Sequence, residues 1–177
     1  INSANEFTYY SKYILPGVGS YYEAVFNLTR LGFFEEIKEA ILVRNKSILG
    51  ICLGMQLLAG SGEENGYSKG LGLIPGTVAK FDFPNHEELK IPHIGFNEIF
   101  FVNNNNILFR GLHNSADFYF VHSYRLTQTP DTLISSFCSY GEKFISSVSF
   151  ENIHGTQFHP EKSQGNGLLV LKNFSEI

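Results

Sequence analysis

Residues 47–58 read Ser47-Ile48-Leu49-Gly50-Ile51-Cys52-Leu53-Gly54-Met55-Gln56-Leu57-Leu58, and this stretch decides the fold. It opens with a short apolar run typical of a buried strand, and it closes with leucines that suit one face of a helix. Glycines stand two residues before and two residues after Cys52, which is the nucleophile-elbow pattern with sulfur in place of a serine oxygen. On so sharp a turn, side chains at the two glycine positions would clash with the neighbouring backbone.

The elbow predicts that Cys52 lies at a helix N-terminus, directly after a strand. Unpaired N–H groups and the helix dipole at such an end favour the thiolate form of cysteine. A buried structural cysteine is the alternative interpretation. The elbow pattern favours a catalytic nucleophile over that alternative.

The composition is that of a folded chain without features of a nucleic-acid-binding or membrane protein. Its 177 residues are 43% hydrophobic, which is enough for one domain, 1–177, with a full core. A net charge of −4 without any Lys/Arg cluster argues against nucleic acid as a partner. No apolar run reaches membrane-spanning length and no signal peptide is visible, so no membrane association is expected. Two cysteines make no disulfide framework and indicate a reducing, cytoplasmic location.

Strand and helix patterns alternate early in the chain, and the middle is rich in strands. We expect an α/β fold with a mostly parallel central sheet flanked by helices and an antiparallel strand insertion. The individual patterns predict strands at 99–102 and 118–124, a strand running to Phe158, and a terminal helix with Leu168, Leu171 and Phe174 on its buried stripe.

A cysteine nucleophile needs a base at neutral pH, and the base needs an acceptor on its second ring nitrogen. The chain has six histidines: His86, His93, His113, His122, His154 and His159. Pro160 prevents a strand from continuing, which places His159 at a strand's C-terminal end, where open α/β sheets hold their ligands. Because Glu161 follows two residues later, we predict Cys52 as nucleophile, His159 as base and Glu161 as the carboxylate that orients it. His122, also near a strand end, is the rival base.

Acyl transfer also needs hydrogen-bond donors for an oxyanion. The N–H of Leu53, the residue after the nucleophile, is one predicted donor. The turn Pro16-Gly17-Val18-Gly19 supplies the second, the N–H of Val18, because the glycines let its N–H groups point into a cleft. The polar loop at 60–66 is expected near the mouth of the same site.

These motifs resemble those of the class I (triad) glutamine amidotransferases, and most closely the glutaminase subunits of imidazole glycerol phosphate synthase. The matching stretches are 15–19, 50–56, 70–76, 92–97, 121–124 and 156–163. The resemblance implies a flavodoxin-like amidotransferase fold and an enzyme that uses no cofactor and no metal. It also implies that Cys52 attacks the side-chain amide of glutamine and expels ammonia, leaving a thioester that water cleaves to glutamate.

The same resemblance implies positions for the substrate and for a protein partner. The amino-acid end of glutamine would be held by Gly17, Gln56 and the backbone of His122, Ser123 and Tyr124. A synthase subunit would be faced by Pro92, His93, Gly95, Phe96 and Asn97. In histidine biosynthesis that subunit is a cyclase with a HisF-like barrel, and the two chains would form a heterodimer.

The chain departs from the family pattern in two places. Family members begin with a further strand and helix before the region of Ile14, and we expect both to be missing from this sequence, which starts at Ile1 without methionine. Phe96 stands where the family usually has tryptophan. Phenylalanine keeps the apolar bulk but lacks the indole N–H donor. That second change lies in the partner-facing segment and therefore concerns the partner rather than the chemistry.

Three other functions stay open from the sequence. A sister glutaminase would feed ammonia to a different synthase, such as one that amidates a surface sugar. A cysteine peptidase would bind an extended chain, whereas Gln56 and residues 122–124 suit one small amino acid. The alternative of another class is a catalytically silent subunit that only binds its partner, against which the intact set of Cys52, His159 and Glu161 argues.

Overall fold

A computed structural model describes Ile1 and residues 3–83, 88–102 and 106–177, so His86 lies outside the described residues. The helices are α1 (Tyr21–Arg30), α2 (Phe33–Leu42), α3 (Leu53–Leu58) and α4 (Gln164–Ser175). The strands are β1 (Lys12–Leu15), β2 (Ser47–Ile51), β3 (Ser61–Gly62), β4 (Ser68–Lys69), β5 (Thr77–Lys80), β6 (His93–Phe101), β7 (Ser115–His122), β8 (Tyr124–Thr127), β9 (Ile134–Tyr140), β10 (Glu142–Phe150) and β11 (Ile153–Thr156). None of the described helices is long and apolar enough to span a membrane.

The larger sheet is mixed, with a parallel half and an antiparallel half. Its strand order is β1-β2-β11-β10-β9-β6-β7. The pairings β1–β2 and β2–β11 are parallel, whereas the four pairings that follow are antiparallel. The expectation of a mostly parallel sheet therefore holds only for the half that carries Cys52. In the other half, short turns join β9 to β10 at Gly141 and β10 to β11, and a short turn cannot join parallel neighbours.

The chain passes from the larger sheet into a smaller one at Ser123. The smaller sheet has the order β4-β3-β5-β8, and β8 pairs with β5 in antiparallel fashion. The single strand predicted at 118–124 is therefore wrong: β7 ends at His122, and β8 begins at Tyr124 in the other sheet. Residues on both sides of the crossing are apolar or aromatic, so the sequence pattern does not mark the break.

Strand β6 begins at His93, six residues before the predicted start at residue 99. Buried and exposed side chains alternate along β6. His93 and Ile99 are buried, while Ile94, Phe96 and Phe100 are 50–59% exposed. Apolar residues on the exposed face hide the period of two that would have identified the strand. The long β6–β7 hairpin thus carries an apolar, unpacked face.

The C-terminal helix α4 buries a different stripe from the predicted one. Gly167, Val170 and Phe174 face the interior at spacings of three and four residues, whereas Leu168 is 67% exposed. A residue next to a buried one lies about 100° around the helix. The expectation holds for Phe174 and for Leu171, which packs partly buried against the core, and is wrong for Leu168.

The turn at Cys52 is held by close backbone packing. A Cβ on Gly54 would lie 1.7 Å from the Leu15 carbonyl oxygen, and a Cβ on Gly50 would lie 2.7 Å from the Gly54 backbone. Real Cβ atoms essentially never approach other atoms within 3.0 Å, so neither position admits a side chain without a backbone shift. The predicted need for glycine on both sides of Cys52 is confirmed.

We expect Gly54→Ala to destabilise the chain by about 3 kcal/mol or more, because overpacking costs about 1–3 kcal/mol where neighbours can move and here the obstacle is backbone. Gly165→Ala in α4 is the matched control, since a Cβ there meets nothing within 4 Å. That control should be neutral or stabilising by up to about 1 kcal/mol. Urea unfolding measures both variants, and equal midpoints would contradict the packing argument.

Candidate active site

Cys52 occupies the junction between β2 and α3 in a backbone conformation that is unusual for a residue with a side chain. Its φ is 53° and its ψ is −109°, and the residue is 6% exposed. Its backbone N–H donates to the Thr156 carbonyl at 2.7 Å, which ties the elbow to β11. Non-glycine residues at positive φ store strain and cluster at functional sites. The elbow geometry predicted for Cys52 is confirmed.

The Cys52 thiol is protonated at neutral pH, contrary to the expectation of a helix-stabilised thiolate. Burial raises the pKa of Cys52 to about 11, and the Glu161 carboxylate adds to the increase. The Leu53 N–H and the Gln157 side-chain amide lower the pKa, but burial outweighs them. The helix that begins at Leu53 has six residues, so its dipole is short. The sulfur therefore needs a base to become a nucleophile.

His159 and Glu161 form the hydrogen-bonded pair predicted from their spacing. His159 Nδ1 lies 2.7 Å from Glu161 Oε1, and the imidazole is 3% exposed. Because a carboxylate accepts, Nδ1 is the donor, and in the neutral imidazole Nε2 holds the lone pair. Nε2 is buried and has no hydrogen-bond partner among the described residues. β11 ends at Thr156 rather than at Phe158, and His159 still lies just beyond the strand's C-terminal end.

The Cys52 thiol does not donate to that lone pair in this structure. Sγ contacts the Val121 carbonyl oxygen at 3.8 Å, at the end of β7. The nucleophile and its candidate base are thus both in place without a hydrogen bond between them. Catalytic hydrogen bonds are often long or poorly aligned before substrate binds.

His122, the rival base, has both ring nitrogens engaged. Nδ1 lies 2.8 Å from the Tyr124 carbonyl oxygen, which can only accept, so Nδ1 is the donor. Nε2 is therefore the acceptor, and His93 Nδ1 donates to it at 3.2 Å. Burial lowers the pKa of His122 to about 3. A neutral imidazole with no free nitrogen is a positioning group, and the geometry favours His159 as the base.

A cavity of about 270 Å³ brings most of the predicted site residues together. It is lined by Val18, Gly19, Cys52, Leu53, Gln56, Glu64, Pro92, Val121, His122, Ser123 and Tyr124. His159 and Glu161 do not line it, and neither does Gly17, which packs behind it, where a Cβ would lie 3.2 Å from the Leu53 side chain. The volume suits one small amino acid rather than an extended peptide. The described residues include no group of three or more His, Cys, Asp or Glu side chains that could hold a metal ion.

Glu64 is a residue of the cavity that the sequence analysis did not single out. Its carboxylate accepts a hydrogen bond of 2.7 Å from the Tyr21 backbone N–H at the start of α1. It belongs to the polar loop 60–66 that was expected near the mouth of the site, and that expectation is confirmed. A carboxylate on the wall of a small cavity is a natural partner for a substrate ammonium group.

Gln157 also escaped the sequence analysis, although it lies two residues before His159. Its side chain is fully buried and connects Cys52 with Gln56. The signal that could have identified it is an amide side chain directly after a buried strand, where a buried polar group requires partners.

The predicted partner-facing residues divide between the surface and the interior. Phe96 is 50% exposed, and Pro92 is exposed at the rim of the cavity. Asn97 and Gly95 are half-buried, and Asn97 Nδ2 donates to the Ser139 carbonyl at 3.1 Å. His93 is 2% exposed, so its assignment as an interface residue is wrong. Alternation along β6 turns His93 inward, against His122.

An elbow cysteine, with a histidine–carboxylate pair beyond the end of the neighbouring strand, is the arrangement typical of hydrolases of the cysteine-nucleophile class. Within that class the chain belongs to the glutamine amidotransferase class-I family, whose sequence model matches residues 2–176. It is therefore a glutamine amidotransferase.

Relatives and solved structures agree with this family. The chain is 49% identical over 166 residues to imidazole glycerol phosphate synthase subunit HisH 1 of Campylobacter jejuni subsp. jejuni serotype O:23/36 (strain 81-176), covering 94% of the chain and 81% of that protein. It is 47% identical over 174 residues to subunit HisH of Sulfurimonas denitrificans (strain ATCC 33889 / DSM 1251), covering 97% and 82%. A crystal structure of a glutamine amidotransferase superposes with a TM-score of 0.73 at 15% identity, covering 99% and 85%, which supports the fold.

The buried histidines make stability depend on pH. Burial lowers the pKa of His93 to about 4, of His122 to about 3 and of His154 to about 4. Unfolded imidazoles bind protons near pH 6.5, so the unfolded state gains protons first as pH falls. We expect the free energy of unfolding to fall between pH 6.5 and pH 5, approaching about 1.4 kcal/mol per pH unit for each histidine.

Urea unfolding at pH 7, 6 and 5 measures this slope. His154→Gln removes one histidine that does not line the cavity. It should reduce the slope of the free energy of unfolding against pH by the contribution of one histidine, up to about 1.4 kcal/mol per pH unit. Stability that is unchanged from pH 7 to pH 5 would show that these imidazoles titrate normally in the folded chain.

Proposed function

We propose that this chain is the glutaminase subunit of an imidazole glycerol phosphate synthase in histidine biosynthesis. It hydrolyses glutamine to glutamate and ammonia and passes the ammonia to a cyclase subunit with a HisF-like barrel, in a cytoplasmic heterodimer. Residues 1–177 act as one glutaminase domain. The observations that carry the proposal are Cys52 on the wall of a cavity sized for one amino acid and the hydrogen-bonded His159–Glu161 pair just beyond β11, the strand whose Thr156 carbonyl holds the Cys52 N–H. The identities of 47–49% to HisH subunits support the choice of pathway.

In the first half of the reaction, His159 Nε2 takes the proton from the Cys52 thiol and the sulfur attacks the side-chain amide carbon of glutamine. The negative charge moves to the amide oxygen, where the N–H groups of Leu53 and Val18 donate. The imidazolium then gives its proton to the leaving nitrogen, the C–N bond breaks, and ammonia departs. Glu161 holds the imidazole in the required tautomer and stabilises its positive form.

In the second half, His159 takes a proton from water, and the hydroxide attacks the thioester carbon. The second oxyanion collapses with cleavage of the C–S bond, and the sulfur recovers its proton from His159. Glutamate leaves the cavity, and the resting thiol is restored. No electron transfer is needed, and every proton returns to its starting atom or to a product.

The cavity wall supplies groups for the amino-acid end of glutamine. The carboxylate of Glu64 pairs with the α-ammonium group, and the backbone of Ser123 and Tyr124 contacts the substrate main chain. Gln56 is held by its own hydrogen bond to the Tyr124 carbonyl at 2.9 Å, and His122 by its bond to the same oxygen. Gly17 supports Leu53 from behind.

Cys52→Ala should abolish glutamine hydrolysis and leave the fold intact, and a glutamine-like electrophile should label Cys52 and spare Cys138.

His159→Asn should lower turnover by about 100–10,000-fold, the usual contribution of a general base. Glu161→Gln should also lower turnover severely, since the glutamine amide can hydrogen-bond to the wrong tautomer of His159. His122→Asn is the matched control and should retain more turnover than His159→Asn. Turnover in Cys52→Ala, or a greater loss at His122, would contradict these roles.

A partner subunit is expected to control the reaction through the turn that carries Val18. Val18 is 80% exposed above the cavity, and Gly19 has a φ of 100° with nothing within 4 Å of a built Cβ. The Val18 N–H belongs to the Gly17–Val18 peptide, and the glycines on either side of Val18 let the neighbouring peptides rotate, which can present or withdraw that N–H. Losing one oxyanion donor typically costs about 100–1,000-fold in turnover, which is enough for a switch.

We expect the isolated chain to hydrolyse glutamine slowly and a ligand-bound cyclase to raise kcat far more than it lowers KM. Gly19→Val should blunt this activation, because a β-branched residue resists positive φ. Gly72→Val is the matched control, since Gly72 has a φ of 66° and equally open surroundings, and it does not line the cavity. Full turnover by the chain alone, unchanged by the cyclase, would indicate a stand-alone glutaminase, and activation by a different synthase would indicate a sister pathway.

A further inference from the structure

Gln157 contacts the sulfur of the proposed nucleophile from inside the protein. Its Nε2 lies 3.7 Å from Cys52 Sγ, and the residue is completely buried. Its backbone N–H is fixed to the Ser146 carbonyl at 2.9 Å, so the side chain projects from an anchored position. The mechanism described above makes no use of this residue.

The orientation of the Gln157 amide follows from the hydrogen bonds around it. Gln56 Nε2 lies 2.9 Å from the Tyr124 carbonyl oxygen, which can only accept, so this end of Gln56 is the donor nitrogen. The same nitrogen lies 3.0 Å from the other side-chain amide, which must therefore present its oxygen there. With its oxygen occupied by Gln56, Gln157 has only its NH₂ group to offer the sulfur.

We propose that Gln157 is a further catalytic residue, whose amide N–H stabilises the Cys52 thiolate whenever that thiolate forms. The inference rests on the proposed role of Cys52 as nucleophile. The thiolate exists twice in each turnover: before attack on glutamine, and when the C–S bond of the second tetrahedral intermediate breaks. At both moments the hydrogen bond from Gln157 strengthens, because the sulfur then carries a full negative charge. In the thioester the sulfur is neutral and the bond weakens.

The surroundings of the sulfur explain why such a donor is needed. Burial raises the pKa of Cys52 to about 11, whereas the Gln157 amide acts in the opposite direction. A thiolate formed here has little solvent to stabilise it, so fixed N–H donors take the place of water. The Gln56 side chain keeps the Gln157 amide from rotating, and Gln56 itself lines the substrate cavity. The network thus links the substrate wall to the nucleophile.

The test compares alkylation of Cys52 by iodoacetamide in the full chain and in Gln157→Met, which keeps the length of the side chain and removes the donor. Loss of a hydrogen bond to a charged group should raise the thiol pKa by about one unit, leaving about tenfold less thiolate below that pKa. A thiolate whose thiol has a higher pKa is also a stronger nucleophile, and this regains about threefold of the lost rate. We therefore expect alkylation at Cys52 to be about threefold slower between pH 7 and pH 9.

Thr156→Val is the matched control. Thr156 is fully buried one residue before Gln157, and its hydroxyl donates to the Phe158 carbonyl at 3.1 Å rather than to the sulfur. This variant should lose stability in thermal unfolding and alkylate at the rate of the unsubstituted chain. If Gln157→Met does not fold, Gln157→Asn keeps the amide but is one methylene too short, and it should show the same slowing.

A purely structural role for Gln157 predicts the opposite sign, because a loosened core exposes the sulfur. Equal or faster alkylation in Gln157→Met than in the unsubstituted chain would overturn the inference. With the cyclase present, the variant should lower kcat for glutamine hydrolysis at nearly unchanged KM, and a change in KM alone would also overturn it. Cys52→Ala, assayed in parallel, tests the proposed function separately, since its activity does not depend on how Gln157 behaves.

Discussion

The contact between the Leu15 carbonyl and the first turn of α3 is the constraint on which the site depends. It leaves no room for a Cβ on Gly54, two residues after Cys52, where the chain turns with a positive φ. The same turn directs the Cys52 N–H to the Thr156 carbonyl, which sets β11 beside β2. Because β11 leads to His159, one backbone contact at the elbow aligns the end of the chain that carries the base.

Two series of hydrogen bonds in the cavity wall end on a single oxygen, the carbonyl of Tyr124. His122 Nδ1 lies 2.8 Å from it, and Gln56 Nε2 lies 2.9 Å from it, which uses both lone pairs of that carbonyl. Tyr124 is the first residue after the chain crosses from the larger sheet to the smaller one. The crossing thus provides a fixed acceptor. One series of hydrogen bonds runs from it through His122 to His93, and the other runs through Gln56 to Gln157. A buried polar network of this kind is stable only when its members find partners.

Strand β6 connects the interior of the site with a surface suited to a protein partner. His93 points inward to His122, its register partner on β7, while the neighbouring Ile94 and Phe96 are exposed. A strand with period two places these residues on opposite faces without any intervening structure. A partner seated on the exposed face of β6 would therefore contact the strand that supports His122. This arrangement gives a short physical route between the surface and the cavity.

The sequence by itself determined the elbow, because glycines flanking a cysteine leave one backbone geometry open, and it determined the His159–Glu161 pair, because Pro160 fixes their separation. It also located the cavity residues that lie next to these motifs. Only the tertiary structure decided that half of the larger sheet is antiparallel, that Tyr124 belongs to another sheet, and that His93 is buried. It alone brought Glu64 and Gln157 to the site, from a loop and from the interior. The physical reason is the separation of the interacting residues along the chain. Steric limits act between neighbouring residues, so a short stretch of sequence reveals them. Strand pairing, burial and the pKa of Cys52 depend on residues distant along the chain.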